Sequence, residues 1–125
     1  MRMSSLAVAR LLLDEGIEPV LQMACRDRNR IAIQADLLGA HALGIRNLLC
    51  LTGDPVRAGD QPKARPVNEL ESVRLLQQVT AFNRGDDPVK GQLADGPTDI
   101  FAGAAADPQC ASWSGLVRRM QRKKA

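Results

Sequence analysis

The residues best placed to do chemistry stand together at Thr52-Gly53-Asp54-Pro55, directly after the apolar run Asn47-Leu48-Leu49-Cys50-Leu51. An apolar run without alternation reads as a strand buried on both faces, as a parallel strand is beneath covering helices. Gly53 permits a tight turn and Pro55 blocks continuation of the ladder. A carboxylate just past the carboxyl end of such a strand is where α/β folds place working residues. The competing reading is that Asp54 closes a turn, a frequent duty of a Gly-Asp pair.

A second group is cationic. Arg118, Arg119, Arg122, Lys123 and Lys124 crowd the end of the chain and account for its formal net charge of +3. Such a cluster suits phosphate-bearing ligands, nucleic acid, or a solvated helix end favoured by the macrodipole. Nucleic acid is the weaker reading, because the chain has no Tyr and only Phe82, Phe101 and Trp113 for base stacking. His41, the single histidine, has no Cys or carboxylate at metal-ligand spacing and reads as a surface or packing residue. Cys110 and Ser114 have no positioned base beside them to make either a nucleophile. Cys25, Cys50 and Cys110 lack CxxC spacing and an even count, so they read as free thiols of a reducing cytosol. Gly103-Ala104-Ala105 lacks the glycine spacing of a dinucleotide fingerprint. No signal peptide or long apolar span suggests secretion or a membrane.

The elements that must position these groups alternate. Ser4 or Ser5 can cap a first helix to about Glu15, with Leu6, Ala9, Leu12 and Leu13 as its buried stripe and Gly16 as its stop. Val20 to Cys25 reads as a strand that ends in the charged turn Arg26-Asp27-Arg28. Asn29 is a fitting N-cap for a helix from about Arg30 to Leu43, with Ile33, Leu37 and Leu38 facing inward and Gly44 terminating it. After the Asn47–Leu51 strand comes a polar loop, Val56 to Val67, of a length usually reserved for function or disorder. Asn68 with Glu71 forms a capping-box variant opening a helix to about Phe82, with Val73, Leu76 and Val79 on one side. A second loop, Asn83 to Thr98, leads to a third strand over Asp99 to Ala105. Ser112 or Ser114 then starts a basic helix.

The order α-β-α-β-α-β-α implies parallel strands joined by crossovers. One α/β domain over residues 1–125 is expected. It reads as a partial (βα)₈ barrel, about three βα units and a preceding helix, since a complete barrel takes roughly 250 residues. A short doubly wound domain is the alternative, although such folds normally open on a strand. Open edges on both outer strands are expected, with the marginal stability or oligomerisation that unpaired backbone brings.

Several segments together resemble one family. They are Ser4 to Ala9, Leu21 to Arg30, Gly44 to Asn47, Leu51 to Pro55, Asp95-Gly96-Pro97-Thr98-Asp99 and Gly103 to Pro108. Their content and order resemble methylenetetrahydrofolate reductase, in the bacterial branch often fused to a homocysteine methyltransferase module. The resemblance implies an FAD-containing (βα)₈ barrel that passes a hydride from NAD(P)H through the flavin to 5,10-methylenetetrahydrofolate, giving 5-methyltetrahydrofolate, in the cytoplasm.

Carried over residue by residue, the resemblance places Asp54 beside flavin and folate, where a fixed negative charge disfavours the anionic reduced flavin and favours hydride donation. Thr52 and Gly53 match the flanking flavin-contacting turn, although many relatives carry Arg at the position of Thr52. Gln22 stands where many relatives have a flavin-contacting His. Arg122 and Lys123 match a basic pair that contacts FAD, in keeping with a charge-assisted contact to phosphate.

There are departures as well. The family's first strand, with its proton-donating glutamate, and its distal strands have no counterpart here. The Tyr and His that relatives often have around Ala106 to Cys110 are also missing. Asp27, Glu69 and Glu71 lie in the wrong context to replace the glutamate. The expectation is an inactive fragment by itself, completed by a partner chain or oligomer, or else a non-catalytic flavin- or phosphate-binding module.

Overall fold

The computed structural model describes residues 3–124. Its elements run α1 (Ser5–Asp14), β1 (Val20–Ala24), α2 (Arg30–Ala42), β2 (Asn47–Leu51), α3 (Ser72–Asn83), β3 (Phe101–Ala104) and α4 (Trp113–Lys124), with one 3₁₀ turn at Val56–Ala58. The three strands form one sheet in chain order, β1-β2-β3. Both pairings are parallel: Gln22 lies opposite Leu49 and Leu49 opposite Gly103. Three strands adjacent in chain order, each followed by a helix, are an arc of a (βα)₈ barrel, as expected.

The core lies on one side of that arc. Leu21, Met23 and Cys25 of the first strand and its continuation, with Leu48 and Cys50 of β2, are buried there under Ile33 and Leu37 of α2 and Leu75, Val79 and Phe82 of α3. Each such side chain contributes about 1.5–3 kcal/mol on leaving water, so this layer outweighs any surface pair in holding the arc together. The opposite side is where expectation and structure part. Asn47, Leu49 and Leu51 are only half-buried, and Val20 and Phe101 are largely exposed. β2 is therefore covered on one face, not two. A run of uniform apolarity hides this difference, because the inner face of a barrel arc also carries apolar side chains.

The local signals held at α2. The Asn29 side chain accepts from the Ala32 N–H at 2.9 Å, and Gly44 turns the chain with φ +82°. Leu38 is a correction: it points away from the core and is 40% exposed, whereas Ala40 fills the corresponding inward position. The Asn68–Glu71 capping box does not form. Asn68 sits at φ +50°, and α3 begins only at Ser72, with no capping bond from Glu71, its N-cap residue. Leu75, not Leu76, occupies the centre of the α3 interface, and Leu76 is half-buried. The third strand is shorter than expected at both ends. Ser4 holds the N-cap position of α1 without a capping bond, while Ser112 does cap α4, accepting from the Gly115 N–H at 3.1 Å.

Both outer strands are edges, as expected, and the backbone of β1 is partly satisfied by side chains. Cys25 N–H donates to Leu51 O at 3.0 Å, which by strand alternation turns Gln22 and Ala24 backbone groups outward. Their carbonyls are both taken: Ser5 Oγ donates to Gln22 O at 3.2 Å and Arg28 Nη1 to Ala24 O at 3.1 Å. The β1 edge is thus partly closed by side chains.

Candidate functional site at the carboxyl end of the strands

The turn after β2 is shaped by what its neighbour allows. Gly53 has φ +96°, and a Cβ there would meet Arg26 Cβ at 2.9 Å and Ala24 Cβ at 3.3 Å. Only glycine combines that dihedral with so close an approach of the two strand ends. Arg26 fastens the approach. Its N–H donates to Thr52 O at 3.0 Å, and its guanidinium donates to Asp54 O at 2.8 Å and to both Asp27 carboxylate oxygens at 2.6 Å. The hydrogen bonds from Arg26 hold the Asp27 carboxyl below the usual carboxylate range, and Asp27 in turn raises Arg26. Asp54 is exposed, and among the described residues no hydrogen bond engages its carboxylate.

Thr52 faces the other way. Its Oγ1 accepts from the Ser72 N–H at 3.2 Å and lies 3.3 Å from Ser72 Oγ. A side chain twenty residues upstream therefore does the work that Asn68 and Glu71 were expected to do at the start of α3. Glu71 is instead paired with Arg122, whose Nη2 donates to it at 2.6 Å. The next residue, Lys123, donates from Nζ to Ala105 O at 2.5 Å. These two contacts lay the end of α4 across the carboxyl ends of β2 and β3.

A hollow of about 340 Å³ results, lined by Thr52, Gly53, Asp54, Ser72, Ala105 and Lys123, with Cys50 and Leu51 at its base. On the other side of the turn a second hollow of about 410 Å³ is walled by Arg26, Asp54 and Arg57 and by prolines of the long loop. The structure thus brings together four of the six residues singled out from sequence. Arg122 stands next to them but is held by Glu71 and does not line the hollow. Gln22 is exposed on the inner face of β1, opposite Leu49, and lines neither hollow. Ser72 and Arg26 were missed as site-building residues. The adjacent opposite charges of Arg26 and Asp27 hinted at one, while nothing local marks Ser72.

His41 accepts from the Asp99 N–H through Nδ1 at 3.2 Å, a packing contact between α2 and the segment before β3. Among the described residues no cluster of His, Cys, Asp or Glu is arranged to hold a metal, and no helix is long and apolar enough to cross a membrane. Cys25 and Cys50 are buried free thiols. Burial raises both, and Cys50, with Cys25 beside it, is pushed up to about 12.

A flavin nucleotide asks for a cation at its phosphates and for polar groups near its ring. The residues present fit one part of such a group. Lys123 gives one of its three N–H donors to Ala105 and keeps the others, and the Asp54 carboxylate is unengaged on the same hollow. Its volume is at the lower end of ligand pockets, about 300–1,000 Å³, which suits a portion of a dinucleotide.

Comparison with known proteins places these features. No curated protein matches the chain. The family model described as methylenetetrahydrofolate reductase matches residues 1–125, the whole chain. The motifs at Leu21 to Arg30, Leu51 to Pro55 and Gly103 to Pro108 all lie within that match; the latter two supply residues lining the 340 Å³ hollow, and the first supplies Arg26 of the 410 Å³ one. The chain belongs to the methylenetetrahydrofolate reductase family.

Proposed function

We propose that this chain carries part of the flavin-binding arc of an enzyme that reduces 5,10-methylenetetrahydrofolate to 5-methyltetrahydrofolate with NAD(P)H, using FAD, in the cytoplasm. One observation carries the reading: Thr52-Gly53-Asp54 and Lys123, far apart in sequence, meet on a single hollow at the carboxyl ends of parallel strands, the end where barrel enzymes keep their chemistry. FAD, when bound, would supply the relay of hydride between nicotinamide and folate.

The chain's own residues have separable duties in this proposal. Lys123 offers charge-assisted donors to phosphate from a position fixed by Ala105 O. Asp54 contributes a negative charge that hydrogen bonds from neighbouring side chains leave undiminished. Gly53 and Arg26 hold that charge in place. Thr52 acts through α3, because its hydroxyl is engaged by Ser72, and Arg122 acts through Glu71. Gln22 would reach a ligand only from the inner face of the sheet.

A second reading is favoured by the half-open inner face, where Phe101 is 76% exposed. The described residues put no carboxyl on the 340 Å³ hollow other than Asp54. A chain that binds flavin or phosphate without turnover, or that acts with a partner, fits that geometry. Titrating the purified chain with FAD and following flavin fluorescence tests the shared core of both readings. Binding that weakens on Lys123→Ala supports it, and binding indifferent to Lys123 and Asp54 removes it. NAD(P)H oxidation with methylenetetrahydrofolate or menadione as acceptor then separates the two, the expectation being no turnover by this chain alone.

A further inference from the structure

We propose that the groove between α2 and α3, on the outer side of the arc, is a binding site for a small molecule that carries one carboxylate on an apolar body. Its centre is a buried amide. Gln78 of α3 is 9% exposed, and its Oε1 accepts from Gln34 Nε2 of α2 at 3.3 Å. Its Nε2 has no hydrogen-bond partner, and among the described residues it is the only buried side-chain polar atom in that state. Buried donors are nearly always paired, because an unpaired one keeps the full cost of leaving water, so an exception asks for a partner. Gln78 lines a hollow of about 520 Å³, within the range of ligand pockets, about 300–1,000 Å³.

The charges around this hollow select the ligand. Arg74, Gln77, Gln78 and Ala81 follow the i, i+3, i+4, i+7 spacing and form one stripe of α3 along it. Arg30, at the start of α2, is matched by Glu69, whose Oε2 accepts from the Arg30 N–H at 2.9 Å and whose Oε1 lies 3.5 Å from Arg30 Nε. Arg74 has no such match. Among the described residues it joins no ion pair, and its Nη1 donates to the neutral Gln77 at 3.1 Å. A guanidinium has five N–H donors, so others remain for an incoming anion. Cβ atoms at i and i+4 lie about 5–6 Å apart, which lets one carboxylate accept from Arg74 with one oxygen and from the Gln78 amide with the other. The hollow thus has one unmatched positive charge, with Leu70, Pro88 and Val89 to receive an apolar body. None of these residues lines either hollow at the β2 turn, so the site is separate from the flavin reading. Consecutive helices of a (βα)₈ barrel stand side by side in its outer ring, and the groove between them opens outward in the whole fold.

The test is an NMR titration of the isotope-labelled chain with sodium butyrate, butyramide and butylammonium chloride at fixed ionic strength. Butyrate is expected to shift the side-chain amide protons of Gln78 in a saturable way. Butyramide, which lacks the charge, is expected to bind about tenfold or more weakly, and butylammonium to leave those protons unmoved. Arg74 is exposed, so Arg74→Gln keeps the fold, and it should weaken butyrate by about tenfold. Gln78→Leu fills the same space without the donor and should remove binding, read at the backbone amide of residue 74. Should that variant not fold, Arg74→Gln alone decides. A Gln78 amide unmoved by butyrate would mean that water satisfies it, and would overturn the proposal. Equal responses to butyrate and butylammonium, or an affinity indifferent to Arg74→Gln, would overturn it too.

Discussion

Replacing Gly53 by alanine tests whether the close approach of two strand ends sets the position of Asp54. Two costs are separable. The first is backbone: an L-residue held at φ +96° is strained by about 1–3 kcal/mol. The second is steric. The new methyl would lie 2.9 Å from Arg26 Cβ and 3.3 Å from Ala24 Cβ, and neither is the yielding tip of a long side chain. Displacing Arg26 loosens its bonds to Asp27 and to Asp54 O, so overpacking of about 1–3 kcal/mol is expected on top. Gly91 supplies the control. Its φ is +90°, and nothing lies within 4 Å of a Cβ built there, so Gly91→Ala carries the backbone strain without the clash. Urea unfolding followed by circular dichroism should show Gly53→Ala less stable than Gly91→Ala by at least about 1 kcal/mol. Both losses are large beside a total stability of about 5–15 kcal/mol. Equal losses in the two variants would refute the steric argument, and with it the claim that Arg26 and Gly53 jointly place Asp54.

Thr52→Val should cost about 0.5–2 kcal/mol in the same assay by orphaning the Ser72 N–H at the start of α3, while Thr52→Ser should retain most of the stability. Equal stability of both variants with the parent would show that water caps this helix. Burial holds Cys50 as the neutral thiol up to about pH 12, above its ordinary value of 9.0. Its contribution is therefore fully present below pH 9 and lost as the pH rises toward 12, because the unfolded chain releases that proton first. Melting temperature should fall across that window, and less steeply in Cys50→Ala; an identical slope would exclude Cys50 as its source. In a flavin-loaded assembly containing this chain, Asp54→Asn should raise the flavin reduction potential in a spectroscopic titration by removing a nearby negative charge. An unchanged potential would reduce Asp54 to a turn former.

What the sequence by itself determined is whatever rests on neighbours along the chain. The alternation of helix and strand, the Asn29 cap, the Gly44 stop and the parallel arc all follow from local pattern, because capping and strand burial act over a few residues. The grouping of Thr52, Gly53 and Asp54 was legible for the same reason: they are consecutive. Tertiary structure alone decided the rest. It gave Thr52 to Ser72 and Glu71 to Arg122, overriding a capping box whose spacing was right but whose Asn68 takes a left-handed backbone instead. It set Lys123 over Ala105, closing the hollow from a helix at the far end of the chain. It left the inner face of β2 half-open, which no apolar run can announce, since the residues of a covered face and of an open arc have the same composition. It capped carbonyls on one edge of the sheet through Ser5 and Arg28. Each of these depends on which distant backbone groups come within hydrogen-bond reach, and that is fixed only when the strands pair in register and the helices pack upon them.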